Sequence, residues 1–222
     1  MHMKRFLTCI LAAAAVLSFT SCKKTVLFNG RNLNKWEFFL VEDEFGDPVP
    51  FNQVFGITDG KEIVILGEPF GYMRTKEPFS NYALHLEYMY PEVPGNSGVF
   101  INAQVPPDRK WPPCLENQLS SNSAGDFLMI NGTDCNEITD DMRAWAAERG
   151  RSPRLEKKAA PSDAVVGVWN HVDIICEGNH ITSYVNGVMQ NECTGFTYDN
   201  GYICLQSEGT VILFRNIWLE NI

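Results

Sequence analysis

One acidic residue combines a strand position with polar neighbours, which makes it a candidate acid or base. Glu116 and Gln118 lie two residues apart in a segment that alternates with apolar residues. Residues with this spacing point to the same face of a β-sheet. Leu115, Asn117 and Leu119 are then expected on the opposite face. The sequence therefore predicts that Glu116 and Gln118 are displayed together, where Glu116 could transfer a proton.

A second carboxylate near Glu116 would favour ordinary glycosidase chemistry. Such enzymes hold two carboxyl groups about 5 Å apart for retention and further apart for inversion. The positions two and four residues along the strand hold Gln118 and Ser120, so the simple two-carboxylate motif is absent. Asp126 could supply the second carboxylate through the following turn, but the pair Gly125-Asp126 is equally typical of residues that form a turn. Asp126 is therefore either a catalytic partner or a turn cap.

Several aromatic and polar residues are candidates for binding a sugar. Trp111 stands among prolines just before the strand of the acidic residue, and Tyr72 and Arg74 precede a strand edge. His85 is either a proton-transfer group or a surface residue on the outer side of the fold. Asn96 either contacts ligand or closes the turn that precedes it. The candidate substrate-binding residues are Asn96, Gln118, Trp111, Arg74, Tyr72 and His85.

Apolar and polar residues alternate along most of the chain, which is typical of strands with one buried face. Asn186-Gly187 adds a strong hairpin signal, because both residues tolerate a positive φ. The predicted strands include residues 82–90, 99–101, 172–176, 181–185, 188–193, 202–206 and 211–219. Strands at this spacing predict an all-β antiparallel sandwich or barrel.

Residues 138–149 are an exception to the strand pattern and predict a short helix. Asp140 and Asp141 stand near its start, and Arg149-Gly150 near its end. The helix lies in an insertion at residues 131–165 that is rich in charged residues and proline. This insertion is either a rim or lid over a site, or a solvated surface loop.

The first 22 residues are typical of a bacterial lipoprotein export signal. Lys4 and Arg5 precede an apolar stretch at residues 10–19, which is too short to span a bilayer. Small residues before Cys22 resemble a lipobox, and the alternative is an ordinary signal peptide cut nearby. We expect residues 23–222 to form a single exported domain, periplasmic and anchored to the outer membrane only through lipid at Cys22.

The charge, cysteine and histidine content of the chain argues against some classes of ligand. The formal net charge of −9 argues against nucleic acid, which requires a basic face. The mature chain would retain Cys114, Cys135, Cys176, Cys193 and Cys204, none of them in a C-x-x-C pair. The spacing of His85, His171 and His180 shows no recognisable metal cluster, although folding could gather them. We therefore predict no metal or cofactor from the sequence.

Five groups of motifs, in order along nearly the whole mature chain, resemble the 3-keto-disaccharide hydrolase domain family. They lie at residues 27–36 (LFNGRNLNKW), 95–100 (GNSGVF), 111–119 with 125–127, 167–170 with 185–187, and 201–206 with 214–217. Asn117 departs from the pattern, since the family usually has Val or Ile there, and so does Cys204, where Gly or Ala is usual. The resemblance implies a jelly-roll sandwich of the concanavalin A-like lectin/glucanase type, with one concave sheet.

The resemblance also implies a reaction that needs only one base. A ketone at C3 of a sugar acidifies the C2 proton, and the resulting enolate expels the group on C1. Glu116 would be the base, and Asn96, Gln118 or Arg74 would stabilise the enolate oxygen. The implied protein is a hydrolase or lyase acting on 3-keto-glycosides. The alternatives are a non-catalytic carbohydrate-binding lipoprotein of the envelope and a conventional glycosidase acting on an unmodified glucan.

Overall fold

Two antiparallel sheets form the fold, which confirms the predicted all-β sandwich. The computed structural model describes residues 24–41, 47–104 and 111–222, and in these ranges it has fifteen strands, numbered in chain order. The seven-stranded sheet has the order β10 (Arg154–Leu155), β9 (Phe127–Ile130), β8 (Cys114–Gln118), β7 (Gly98–Ala103), β14 (Tyr202–Ser207), β5 (Gly71–Thr75) and β2 (Trp36–Leu40). The eight-stranded sheet has the order β13 (Val188–Cys193), β12 (His180–Val185), β11 (Asn170–Glu177), β6 (Tyr82–Met89), β15 (Ile212–Asn221), β4 (Ile63–Ile65) and β3 (Phe55–Ile57), with β1 (Lys24–Val26) paired to β15.

The sandwich interior is apolar because alternate residues of each strand point inward. Met73, Leu205 and Val99 lie side by side on β5, β14 and β7, and all three are fully buried. They belong to one cluster with Leu84 and Ile174 of the eight-stranded sheet. Burial of such side chains stabilises the fold by about 1.5–3 kcal/mol each. The remaining residues of these strands therefore point away from the core.

Asn117 is a polar residue inside this core. Its side chain is fully buried, and Ser183 Oγ on the facing sheet donates a hydrogen bond of 2.6 Å to its Oδ1. The hydrogen bond offsets part of the cost of burying the amide. Asn117 therefore joins the two sheets where the family usually has an aliphatic contact.

The insertion forms the predicted helix and extends the seven-stranded sheet. Helix α1 (Asp140–Glu148) begins after Thr139, whose Oγ accepts a hydrogen bond of 3.3 Å from the Met142 N–H. Strand β10 follows the helix and pairs with β9. The Glu137 carboxylate accepts hydrogen bonds from the Thr194 N–H at 2.9 Å and from Thr194 Oγ1 at 2.8 Å, directly after β13. The insertion is thus packed against the edge of the sandwich.

A second, smaller apolar cluster covers the outer face of the seven-stranded sheet. It comprises Tyr72, Phe100, Ala103, Cys114, Ile130 and Cys204, with Phe39, Trp111, Leu128 and Tyr202 packed against them. Cys204 is a buried free thiol in this cluster. The face opposite the core is therefore partly apolar, which is unusual for a surface exposed only to water.

The predicted export signal and Cys22 lie outside the described residues. In the part of the chain that the structure describes, no helix is both long and apolar enough to cross a membrane.

Candidate functional site

Glu116 lies on the outer face of the seven-stranded sheet. It pairs with Phe100 on β7 and Leu128 on β9, and only 4 % of its surface is exposed. Leu115 and Asn117, its neighbours along β8, point into the sandwich core. The predicted orientation of this strand is therefore confirmed, and Glu116 is a buried carboxyl group outside the main core.

The environment of Glu116 shifts its pKa strongly. Burial raises the pKa to about 8, and repulsion from the Glu208 carboxylate adds to the rise. The Arg154 guanidinium lowers the pKa and offsets part of this effect. A carboxyl group with a pKa near neutral pH can both accept and return a proton, as general acid–base catalysis requires.

Gln118 orients the Glu116 carboxyl group. Its Nε2 lies 3.4 Å from Glu116 Oε1 and donates a hydrogen bond to it. Its own Oε1 accepts hydrogen bonds from the backbone N–H groups of Leu119 and Ser120, at 2.9 and 2.8 Å. These two backbone bonds fix the amide, so its N–H group stays directed at the carboxyl group.

Gly98 provides the space that the Glu116 carboxyl group occupies. It pairs with Gln118 across β7 and β8. A Cβ atom at position 98 would lie 2.5 Å from Glu116 Oε1 and 2.9 Å from its Cδ. The glycine of the GNSGVF motif is therefore required for the observed position of the acidic group.

Glu208 is a second carboxylate near Glu116 that the sequence reasoning missed. It is half-buried directly after β14, and Asn96 Nδ2 donates a hydrogen bond of 2.7 Å to its Oε2. This contact places Asn96 beside Glu208. A signal was present, since Gln206 and Glu208 repeat the two-residue spacing of Glu116 and Gln118.

Aromatic rings form the apolar part of the site. Phe100, the strand neighbour of the acidic residue, contacts Tyr72 and Trp111 edge-on, with ring centroids 5.9 and 5.6 Å away. Trp111 also lies nearly parallel to Phe70 at 6.4 Å. Trp111 is partly exposed and its ring can pack against the C–H face of a pyranose, whereas Tyr72 and Phe100 are buried beside it. The structure therefore places the predicted Tyr72 and Trp111 on the same face as the acidic residue.

Arg74 is held on the same face, further along the sheet. Its guanidinium lies between the rings of Phe39 and Tyr202, at 4.8 and 4.2 Å from their centroids, and pairs with Glu37. Arg74 Nε and Nη1 are buried without a hydrogen-bond partner among the described residues, and so is Gln206 Oε1. Buried polar groups of this kind are candidates for hydrogen bonds to a ligand.

Asp126 requires a correction to its predicted catalytic role. Its carboxylate is almost fully buried, with Oδ2 accepting a hydrogen bond of 2.6 Å from Arg154 Nε. Its Oδ1 accepts a hydrogen bond of 2.8 Å from the Lys157 N–H. Both oxygens are occupied and the charge is balanced by the guanidinium, so Asp126 positions Arg154 instead of transferring a proton.

His85 also requires a correction, because it lies on the other sheet. It is part of β6, and its ring stacks on Trp218 of β15 with centroids 3.9 Å apart. It faces away from the core on the opposite side of the sandwich from Glu116. The alternation of β6 indicated a polar face but not which sheet that face belonged to, so His85 is not part of this site.

Comparison with family models gives a match over most of the chain. A family model described as a 3-keto-alpha-glucoside-1,2-lyase-like domain matches residues 23–220. No curated protein matches the chain.

Solved structures with low sequence identity share the fold. A protein from Parabacteroides distasonis ATCC 8503, described as a "Putative glycosyl hydrolase", has a TM-score of 0.62 at 20% identity, covering 90% of this chain and 100% of its own. The carbohydrate-binding module CBM66 from Bacillus subtilis has a TM-score of 0.60 at 9% identity, covering 84% and 96%. The Bacillus licheniformis beta-glucanase has a TM-score of 0.53 at 12% identity, covering 90% and 98%. At these identities the likeness establishes a jelly-roll sandwich and no more.

Proposed function

Because the chain belongs to the 3-keto-alpha-glucoside-1,2-lyase-like family, we propose that it is an enzyme that cleaves 3-keto-glycosides, with Glu116 as the acid–base residue. A carbohydrate-active role follows from the family. The observation that supports the finer proposal is a buried carboxyl group with a pKa of about 8, on an outer sheet face lined with aromatic rings.

Glu116 would act first on the C2 proton, which the ketone at C3 makes acidic. The C2–H electron pair forms an enolate, and the enolate then expels the C1 oxygen, which leaves a double bond between C1 and C2. The departing oxygen receives the proton that Glu116 took from C2. Water can then add hydroxyl at C1 and hydrogen at C2, so the net reaction is hydrolysis and no second nucleophilic carboxylate is required.

Arg154 is the cation best placed to stabilise the enolate. Its charge already acts on Glu116, and Asp126 holds its guanidinium in position. Arg74 lies on the same row of side chains but three strands from Glu116, a distance of roughly 14 Å at normal strand spacing. We therefore expect Arg74 to bind a part of the ligand distant from the bond that is cleaved.

We expect the purified protein to release product from a 3-keto-disaccharide and to leave the matched unmodified disaccharide intact. In deuterated water, elimination followed by hydration would place deuterium at C2 of the product, and mass spectrometry would detect it. Product from both sugars would instead support a conventional glycosidase. Stable binding without turnover would support a carbohydrate-binding module.

Gly98→Ala should reduce kcat/KM by roughly 100-fold, since displacing a reacting group by about 1 Å can cost this much. The new methyl group would push the Glu116 carboxyl group out of its position. The backbone of Gly98 is outside the left-handed region, so the fold should be retained. Steady-state kinetics and thermal melting would measure the two effects.

Gly56→Ala is a matched control for this substitution. Gly56 is also in a strand and outside the left-handed region, but it belongs to the eight-stranded sheet. A Cβ added there would lie 3.3 Å from Val64 Cγ1 on the neighbouring strand. We expect this variant to keep its activity. If Gly98→Ala and Gly56→Ala had equal kcat/KM values, Gly98 would not be needed to position Glu116.

A further inference from the structure

The outer face of the eight-stranded sheet brings together two histidines and an aspartate that the sequence spacing did not connect. His85 Nδ1, His171 Nε2 and Asp173 Oδ1 lie within 4.8 Å of one another. We propose that these three side chains bind a first-row transition metal ion of the zinc type.

The strand register brings the three ligand atoms to one point. His85 on β6 pairs directly with Asp173 on β11, and His171 precedes Asp173 by two residues and shares its face. Asp173 Oδ1 accepts a hydrogen bond from His85 Nδ1 and another from His171 Nε2, the latter at 2.9 Å. Both ring nitrogens are therefore directed at the same carboxylate oxygen, which gathers the three ligand atoms in one place.

The donor set suits zinc and its neighbours in the first transition row. Imidazole nitrogen and carboxylate oxygen are both common zinc ligands, whereas calcium and magnesium prefer oxygen alone. Two histidines and one carboxylate on the same side of an ion also leave positions for water. The His171 side chain is 49% exposed, so a metal ion can reach this side of the site from solvent.

The scaffold around these ligands is rigid. β6 lies between β11 and β15, so all three strands are held by a ladder of backbone hydrogen bonds. The Trp218 ring on β15 stacks against His85 and fixes the plane of the imidazole. Ligands on strands with restrained rings lose little freedom when they bind a metal.

The charged neighbours leave the Asp173 carboxylate available to a cation. Glu87 is the strand partner of His171, but Arg215 Nε and Asn216 Nδ2 donate to its carboxylate at 2.6 and 2.7 Å. Lys24 Nζ lies over the Trp218 ring, 3.6 Å from its centroid. The two histidines are the hydrogen-bonding partners of Asp173 among the described residues, so metal binding would break no other ion pair.

Titration of the metal-stripped protein with zinc chloride at neutral pH tests this proposal. We expect calorimetry to show one saturable site per chain, and cobalt(II) to give visible absorption bands of nitrogen and oxygen coordination. The thermal midpoint should rise with zinc concentration, because a ligand that binds only the folded state stabilises it. Activity is not required as a readout, and the site lies on the opposite side of the sandwich from Glu116.

Three variants distinguish this site from adventitious binding. His171→Gln and Asp173→Asn should each weaken zinc binding by at least about 10-fold, since losing even an outer-shell partner of a metal site costs this much. His180→Gln is the matched control, because His180 pairs with Glu192 on the same sheet at 2.8 Å and should leave binding unchanged. Equal loss in all three variants, or no saturable binding to the unmodified protein, would overturn the proposal.

Discussion

Glu116→Gln should lower kcat/KM for a 3-keto-disaccharide by about 10²–10⁴-fold, the usual contribution of a general base. The substitution removes the ionisable group but keeps its shape, so the fit against Gly98 and the contact with Gln118 should be retained. Steady-state kinetics at several pH values would measure the loss. If the variant kept full activity, Glu116 would not be the base.

The pH dependence identifies which role Glu116 plays. A base must be deprotonated in the free enzyme, so kcat/KM should rise with pH and level off above a pKa of about 8. An obligatory acid would give the opposite slope, with activity falling through the same pKa. This rise of kcat/KM with pH should be absent from the residual activity of Glu116→Gln. Glu192→Gln, a carboxyl change on the other sheet, should keep both the rate and the pH profile of the unmodified protein.

Glu116→Gln should also stabilise the folded protein at high pH. The pKa of Glu116 is about 8 in the folded state, against an ordinary value of 4.5. The folded state therefore holds a proton that the unfolded state has lost between these two values, and stability falls as pH rises through this window. Glu116→Gln removes that loss, because its amide does not ionise.

We expect the two proteins to have similar unfolding free energies below the ordinary carboxyl pKa. Above a pH of about 8, Glu116→Gln should be the more stable by about 5 kcal/mol, from 1.36 kcal/mol for each unit of pKa shift. Urea unfolding at acidic, neutral and alkaline pH would measure the difference. A difference that stayed constant across this range would show that the folded-state pKa of Glu116 is not raised. Glu192→Gln again serves as control and should show no gain that grows with pH.

These two predictions describe one physical trade-off. Burial of the Glu116 carboxyl group destabilises the ionised protein and at the same time places its pKa where proton transfer is efficient. A variant that is both more stable at high pH and less active would support the proposed role better than either result alone.

The strand and helix pattern was determined locally and could be predicted from the sequence. Alternation assigned Glu116 to the face opposite Leu115 and Asn117, because successive residues of a strand must point to opposite sides. The early aspartates and Arg149-Gly150 indicated helix α1 for the same reason, since a helix end is stabilised by its own neighbouring residues. The motif resemblance then identified the family, which the family model confirmed over residues 23–220.

Which residues meet on each outer face of the sandwich depended on the tertiary structure. Alternation cannot tell which of two sheets a strand joins, so it left open whether His85 faced the site or the outer side of the sandwich. Nor can it tell which carboxylate meets Glu116, because that depends on pairing between strands far apart in the chain. Glu208 was brought near Glu116 in this way, while Asp126 became the partner of Arg154. The faces of each strand thus follow from local alternation, whereas the residues that share a site follow from the packing of the two sheets.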